Sequence, residues 1–309
     1  MWKRILAIVG IGLIVVVSLW ASLVVSYEAD RGTTNTVLVT YVESSSEGKT
    51  DHLATLAFDG EAENLSWGSL EVALEINGTT HKCGFGQQSI PSEDGALVQP
   101  KLGADGQTFT TVVDATDEES FTFLSVPQQQ RGSENQHTMR FSSTDVFLAE
   151  GVQWAFVEDV AFPELTAVEN LEFSNDTSER LSWYEYDLAV HRVTPLDGVY
   201  VLRVDNVDYK LQFVSYYNAE DERRYPTMQI AAFDPSAFPA LSNPDLVSPS
   251  PCLVVAGDTD LSQWTFNETI ELHENGFELR SAEEAMVLLV RYEDVEVRIV
   301  QSPLPTTEG

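Results

Sequence analysis

The chain has 309 residues, with 49 Asp and Glu against 17 Lys and Arg, a formal net charge of −32 and a pI near 4.2. That balance excludes a nucleic-acid surface, which needs clustered Lys and Arg against phosphate. The acidic residues are scattered, as on a heavily solvated surface adapted to salty water, and no DxDxDG-like spacing points to calcium.

The first element is apolar. After MWKR the chain carries no charge from Ile5 to Tyr27, long enough to cross a bilayer core of roughly 30 Å as one helix. A cleavable signal has a shorter apolar region and a clearer small-residue site, so the reading favours an uncleaved anchor over a signal. No cysteine follows the run to carry a lipid. Lys3 and Arg4 precede it, and Glu28 and Asp30 follow it. The charge bias therefore predicts a cytoplasmic N-terminus with everything after about Tyr27 outside.

Past the anchor no sustained helical period appears. Short β-branched and aromatic runs broken by Gly, Asn, Asp and Pro predict an all-β protein of antiparallel, sandwich-like domains behind a transmembrane helix. "VLVTYV" from Val37 and "LATLAFDG" from Leu53 read as strands. "LEVALEINGTTHKCGF" reads as a hairpin about Asn77-Gly78. "FTTVVDA", "FTFLSV" and "VQWAFVEDV" continue the series. The predicted organisation is an anchor or signal over 1–30, a β-sandwich over 31–160 and a second β domain over 161–234. A Pro-rich linker or loop follows over 235–251, then a C-terminal β segment over 252–303 and a flexible tail over 304–309. The stretch 43–49 also reads as flexible.

"FPELTAVENLEFSNDTSER" before the second domain is polar and reads as a connection. The C-terminal segment, with a hairpin turn at Asn275-Gly276, is too short for a comfortable core of its own and is expected to pack on a preceding unit. Cys83 and Cys252 are the two cysteines, and outside a membrane such a pair reads as a disulfide, with buried free thiols as the alternative. Sequons at Asn64, Asn77, Asn175 and Asn267 permit glycosylation.

The densest pattern is "WYEYDLAVHRVTPLDGVYVLRVDNVDYKLQFVSYYN", Trp183 to Asn218. A two-residue turn at Asp205-Asn206 would pair Val204 with Val207, Arg203 with Asp208, Leu202 with Tyr209 and Tyr200 with Leu211. One face then carries Tyr200, Leu202, Val204, Val207, Tyr209, Leu211 and Phe213 toward a core. The other, with Val201, Arg203, Asp208, Lys210 and Gln212, is the wetter one. Tyr216 and Tyr217 are adjacent, so in a strand they face opposite sides. His191 sits near a strand boundary, where a lone histidine is more often a partly exposed side chain than a ligand.

The order of these residues, above all "YKLQFVSYYN", resembles the C-terminal part of the HmuY family of haem-binding proteins, over about Ser182 to Asp234. The resemblance implies an all-β fold, a place outside the cell and haem or a similar planar ligand held by two axial residues. Within it His191 is the candidate iron ligand, with Met228, His137 and Met139 as other axial candidates and Tyr216 and Tyr217 as pocket residues. The turn departs from the family's glycine-containing one, and the N-terminal half of the family pattern does not align. "HTM" would put His137 and Met139 on one strand face. No CxxCH supports covalent haem. No GxSxG, HExxH, P-loop or dinucleotide fingerprint supports an enzyme. The two readings carried forward are a membrane-anchored outer β protein that binds haem, and a cell-surface structural or interaction protein that does not.

Overall fold

The structure is a computed structural model that describes residues 2–29, 35–41, 51–55, 67–76, 79–250, 252–256, 271–272, 277–278, 287–291 and 296–300. Helix α1 spans Trp2–Ala29, and within it the side chains of Trp2 and residues 10–22 are described. Among the described residues no helix is long and apolar enough to cross a membrane. Among the described residues the remaining regular structure is strand apart from three short 3-10 turns, as the short β-branched runs predict.

Strands β1 (Asn35–Tyr41), β2 (Asp51–Thr55), β3 (Leu70–Ile76) and β4 (Thr79–Cys83) come first. β3 and β4 pair antiparallel with Ile76 opposite Thr79, the register a two-residue turn demands. β1 pairs with β3 in parallel, an exception to the antiparallel expectation.

Then follow β5 (Gln87–Ser89), β6 (Val98–Leu102), β7 (Phe109–Val113), β8 (Thr122–Ser125), β9 (Gln130–Arg131), β10 (Met139–Ser142), β11 (Asp145–Leu148) and β12 (Gln153–Glu158). The dense stretch supplies β13 (Tyr184–Asp187), β14 (Arg192–Pro195), β15 (Gly198–Val204) and β16 (Val207–Tyr217), followed by β17 (Arg223–Ala232).

Two sheets face each other. One is six-stranded and antiparallel, in the order β12-β15-β16-β17-β7-β6, and the other is β11-β10-β8-β9. Their inner faces share one core, where Phe109, Leu202, Leu211, Met228 and Ile230 meet Leu124, Met139, Phe141 and Val146. This is a sandwich, but it is not divided at residue 160. β12 pairs with β15 over six residues and β7 pairs with β17, so strands from both sides of that expected boundary share one sheet. The sequence pattern shows where strands lie and not which ones pair, and the boundary was drawn at a polar connection.

That connection is itself a structural cover. Phe162 packs on Val199 and Ala231 with Val160 and Leu165 beside them, on the face of the sheet turned away from the main core. Lys210 Nζ donates to the carbonyls of Phe162 (2.8 Å) and Leu165 (3.1 Å), and the Arg203 guanidinium lies 4.1 Å from the Phe173 ring centre. The face expected to be wet is thus half covered, and Val201 on it is fully buried. Burial holds the Lys210 amine below its ordinary value, a nearby Asp105 acting the other way.

Over its described residues, 235–250, the Pro-rich segment is a packed loop rather than a linker. Phe238 meets the Phe109 and Tyr209 rings edge-on at 5.5 and 5.4 Å, Ala240 is buried, and β18 (Val247–Pro249) pairs with β5. Its prolines set short 3-10 turns at Pro235–Ala237 and Pro239–Ser242, which aim Phe238 inward.

The last strands are β19 (Cys252–Ala256), β20 (Glu271–Leu272), β21 (Phe277–Glu278), β22 (Val287–Arg291) and β23 (Glu296–Val300). β19 and β22 pair in parallel, and β23 pairs antiparallel with β2, so this segment packs on the N-terminal strands. Cys83 is disulfide-bonded, and Cys252 is the one other cysteine in the sequence. The expected flexible stretches 43–49 and 304–309, the turns Asn77-Gly78 and Asn275-Gly276, and the sequons at Asn64, Asn77 and Asn267 lie outside the described residues. Asn175 is exposed, and its side-chain oxygen accepts a 2.8 Å hydrogen bond from Gln153.

Candidate functional site

The β15–β16 hairpin has the register read from its residues: Val204 opposite Val207, Arg203 opposite Asp208, Leu202 opposite Tyr209, Tyr200 opposite Leu211. Asp205 and Asn206 take φ of 50° and 65°, both left-handed as a type I′ turn requires. Arg203 donates to Asp208 through Nε (2.7 Å) and Nη2 (2.9 Å). Tyr200 and Tyr209 are buried, which pushes both phenols up to about 12. These aromatic residues pack in the core of the sheet.

The six candidate residues separate. Met228 and Met139 are fully buried in the shared core, where neither thioether is open to a bound group. His137 is half-buried, its Nδ1 3.1 Å from the Ser133 carbonyl and its ring edge-on to Phe123 at 4.8 Å. Met139 pairs with Leu124, whereas His137 lies against Phe123, the neighbour pointing to the other side. The expected common face for His137 and Met139 is therefore absent. β10 begins at Met139, and His137 still belongs to the turn closed by the Ser133–Gln136 bridge, where two-residue alternation has not started.

His191 is exposed in the turn between β13 and β14, in the left-handed region at φ 56°. Its Nδ1 lies 3.2 Å from the Tyr186 hydroxyl, an arrangement that leaves Nε2 for another partner. Strain of this kind at a non-glycine residue persists where the surrounding turn imposes it.

Tyr216 and Tyr217 do not take opposite faces. The β16–β17 register shifts between Phe213 and Ser215 and again before Tyr217, and these bulges reset the alternation. Ser215 and Tyr216 are both buried, and the two tyrosine rings meet edge-on at 5.2 Å. Burial raises the Tyr216 phenol, opposed by hydrogen bonds to Ser143 and Arg224.

Tyr217 borders an open hollow. Tyr217 and Tyr225, Arg223 and Arg224, Asp221 and Glu222 line an open hollow of about 510 Å³. Arg192 lies over the Tyr217 ring at 3.8 Å and is gripped at both Nη atoms by Asp221. The Tyr217 hydroxyl accepts from the Val193 amide at 3.2 Å, which ties the hollow to β14 two residues from His191. Arg224 is held at φ 77°, pairs with Glu118, and keeps its Nε buried without a hydrogen-bond partner. Burial, then Asp114 and Glu222, push the Tyr225 phenol up, so it stands as a neutral donor.

Arg192, Asp221, Arg224 and Tyr225 were not legible as site residues. The bulges that gather them leave no mark on the hydrophobic period, and "DERRY" reads as a polar turn. Among the described residues no group of three or more His, Cys, Asp or Glu is placed to hold a metal ion.

No family model and no curated protein matches the chain. Solved structures do. The apo HmuY analogue of Tannerella forsythia is similar at 13% identity, over 41% of this chain and 96% of that one, with a TM-score of 0.35. A protein described as HmuY-like and haem-binding, from Bacteroides vulgatus, is 13% identical over 48% of this chain and 97% of its own, with a TM-score of 0.29. A protein described as a lipoprotein, from Bacteroides fragilis, is 17% identical over 48% and 94%, with a TM-score of 0.33. The chain is thus similar to HmuY-like solved structures over part of its length.

Proposed function

We propose that this is a membrane-anchored, outward-facing β protein without catalytic activity, whose sandwich binds a planar, carboxylate-bearing ligand, haem first among them. The single observation that carries it is the 510 Å³ hollow at the exit of the stretch resembling HmuY, with two tyrosines and two arginines in its wall. The hollow is open rather than enclosed, so it would seat one edge of a planar molecule and leave the rest in solvent. Guanidinium groups suit propionate-like carboxylates, and phenol rings suit a flat π face.

The residues fit haem in part. Arg223 would hold a carboxylate at the rim, Arg224 being paired with Glu118 already, and Tyr217 and Tyr225 would flank the ring. Of the axial candidates, His191 and His137 each have Nδ1 engaged and His191 is the more exposed, while Met139 and Met228 do not fit. Bound haem would supply an iron centre for uptake or carriage, and this chain's own residues would orient it.

Anchoring is read from the uncharged run Ile5–Tyr27 and from Lys3 and Arg4 before it. It puts the acidic bulk of the chain outside.

Titration of the full chain in detergent with haemin tests the ligand. The expected result is a sharp, saturable Soret band that weakens in His191→Ala and in Tyr217→Phe. No band at micromolar haemin sinks the haem reading. The second reading, a surface interaction protein without haem, is favoured by the burial of Met139 and Met228 and by the separate settings of His137 and His191.

A further inference from the structure

The two outer faces of the sandwich differ. On the six-stranded sheet the cations of the outer face are met by the cover segment and by a neighbouring strand. Phe162 lies 4.5 Å from Lys210 Nζ, and its carbonyl and that of Leu165 accept from the same amine. Phe173 lies 4.1 Å from the Arg203 guanidinium, whose N–H groups Asp208 accepts. Each cation there has both a ring and an oxygen.

The outer face of the four-stranded sheet has the rings without the oxygen. Phe147, Arg140 and Phe123 stand opposite one another across β11, β10 and β8, and Phe121 lies just before β8. The Arg140 guanidinium carbon is 4.8 Å from the Phe121 ring centre and 4.9 Å from that of Phe147, while Phe123 meets His137 edge-on. These three phenylalanines and Arg140 are half-buried, and Arg140 has no hydrogen bond or ion pair among the described residues. The other buried or half-buried arginines whose side chains are described, Arg192, Arg203 and Arg224, are each met by a carboxylate. Carboxylates are the partner in surplus here, 49 against 17 basic residues, so chance leaves few arginines without one. Those near Arg140 are engaged elsewhere. Asp145 holds Arg180 at 2.8 Å, and Asp117 accepts from Ser120 and the Glu119 amide.

We infer that this face is a docking surface for a protein segment that brings one Asp or Glu to Arg140 and an apolar side chain to Phe123 and Phe147. No residue of the hollow at Tyr217 takes part, so the surface is separate from the haem reading. Rings against the guanidinium shed water from it, which strengthens its pairing with a carboxylate that matches its fork of N–H donors. A sheet face turned to water is normally polar, whereas aromatic residues beside arginine are the composition of an interface centre. The net charge of −32 repels a run of acidic residues and a phosphate chain alike, which limits the occupant to a mixed segment with a single carboxylate. In an extended strand, residues two apart face the same way, so the carboxylate and the apolar side chain reach the sheet together at that spacing.

The test uses the full chain in detergent and the capped peptide Ser-Phe-Ser-Glu-Ser, with benzoylphenylalanine in place of its Phe for photocrosslinking and mass mapping. The expected result is saturable crosslinking to residues 121–147, weakened about tenfold when Gln replaces the peptide's Glu. R140Q should weaken it as much, and R140K should restore little, because lysine lacks the planar fork. The change of Glu to Gln lies in the peptide, so that arm decides even where a variant of the chain folds poorly. Crosslinks that fall outside this stretch, crosslinks that survive the change to Gln, or none at all overturn the docking surface.

Discussion

Two hairpins lie back to back in the same three dozen residues, and they use the same amino acids oppositely. β15–β16 buries Tyr200, Tyr209, Leu202 and Leu211, and its second face is covered by Phe162 and Phe173. β13–β14 is two-stranded, ends in an exposed turn, and shows Tyr186 and Leu188 to solvent. Neighbours decide the outcome. A strand flanked on both sides, as β16 is by β15 and β17, has its side chains fixed by packing. A hairpin paired to nothing else keeps its tip free for other contacts. Aromatic density therefore says little about a ligand until the pairing is known.

The comparison breaks most visibly at Trp183, where β13 is rooted. Its ring is fully buried, stacks on Phe213 at 4.5 Å, and donates from Nε1 to the Thr144 carbonyl at 2.9 Å. Trp183→Ala is expected to cost about 3–5 kcal/mol in urea unfolding. Tyr186→Ala, three residues on, should stay within about 0.5 kcal/mol. Equal costs would erase the distinction between root and tip.

Alkaline pH separates the hairpins next. Tyr200 and Tyr209 have folded-state values near 12 against about 10 for an unfolded tyrosine. The folded chain holds these protons longer, so the stabilisation is complete below pH 10 and is lost as pH rises toward 12. Unfolding midpoints should fall across that window, and Tyr200→Phe should flatten the fall. An unchanged slope would remove Tyr200 as its source.

Smaller effects belong to the turns. Asn206→Ala at φ 65° should cost about 1 kcal/mol by thermal unfolding, while Asn206→Gly should cost none. His191→Gly at φ 56° should raise stability by about 0.5 kcal/mol, because glycine meets that conformation without strain. A loss instead would mean that the Tyr186 contact holds the tip together.

Legibility followed the range of the interaction. The β15–β16 register and its Arg203–Asp208 pair were readable because a two-residue turn fixes everything within reach of it. The union of β7 with β17 was not, since nothing local in "FTTVVDA" names a partner more than a hundred residues away. The site suffered most. The bulges at Ser215 and Tyr217, and the left-handed Arg224, arise from how β16 and β17 are forced to fit, and no period in the sequence carries them. Tyr217 was singled out for the wrong reason, as a residue left over from an alternation that the sheet does not keep.

The pairing of β2 with β23 puts Asp51 opposite Val300, and among the described residues β2 has no other strand beside it. A chain that emerges N-terminus first therefore exposes β2 for as long as the remaining strands take to appear. The middle sheets can close from neighbouring hairpins in the meantime, since contacts between near residues form fast. The outer edge waits for β23 to emerge, open to wrong partners. Truncations that remove only β23 should then yield a folded sandwich with a sticky margin.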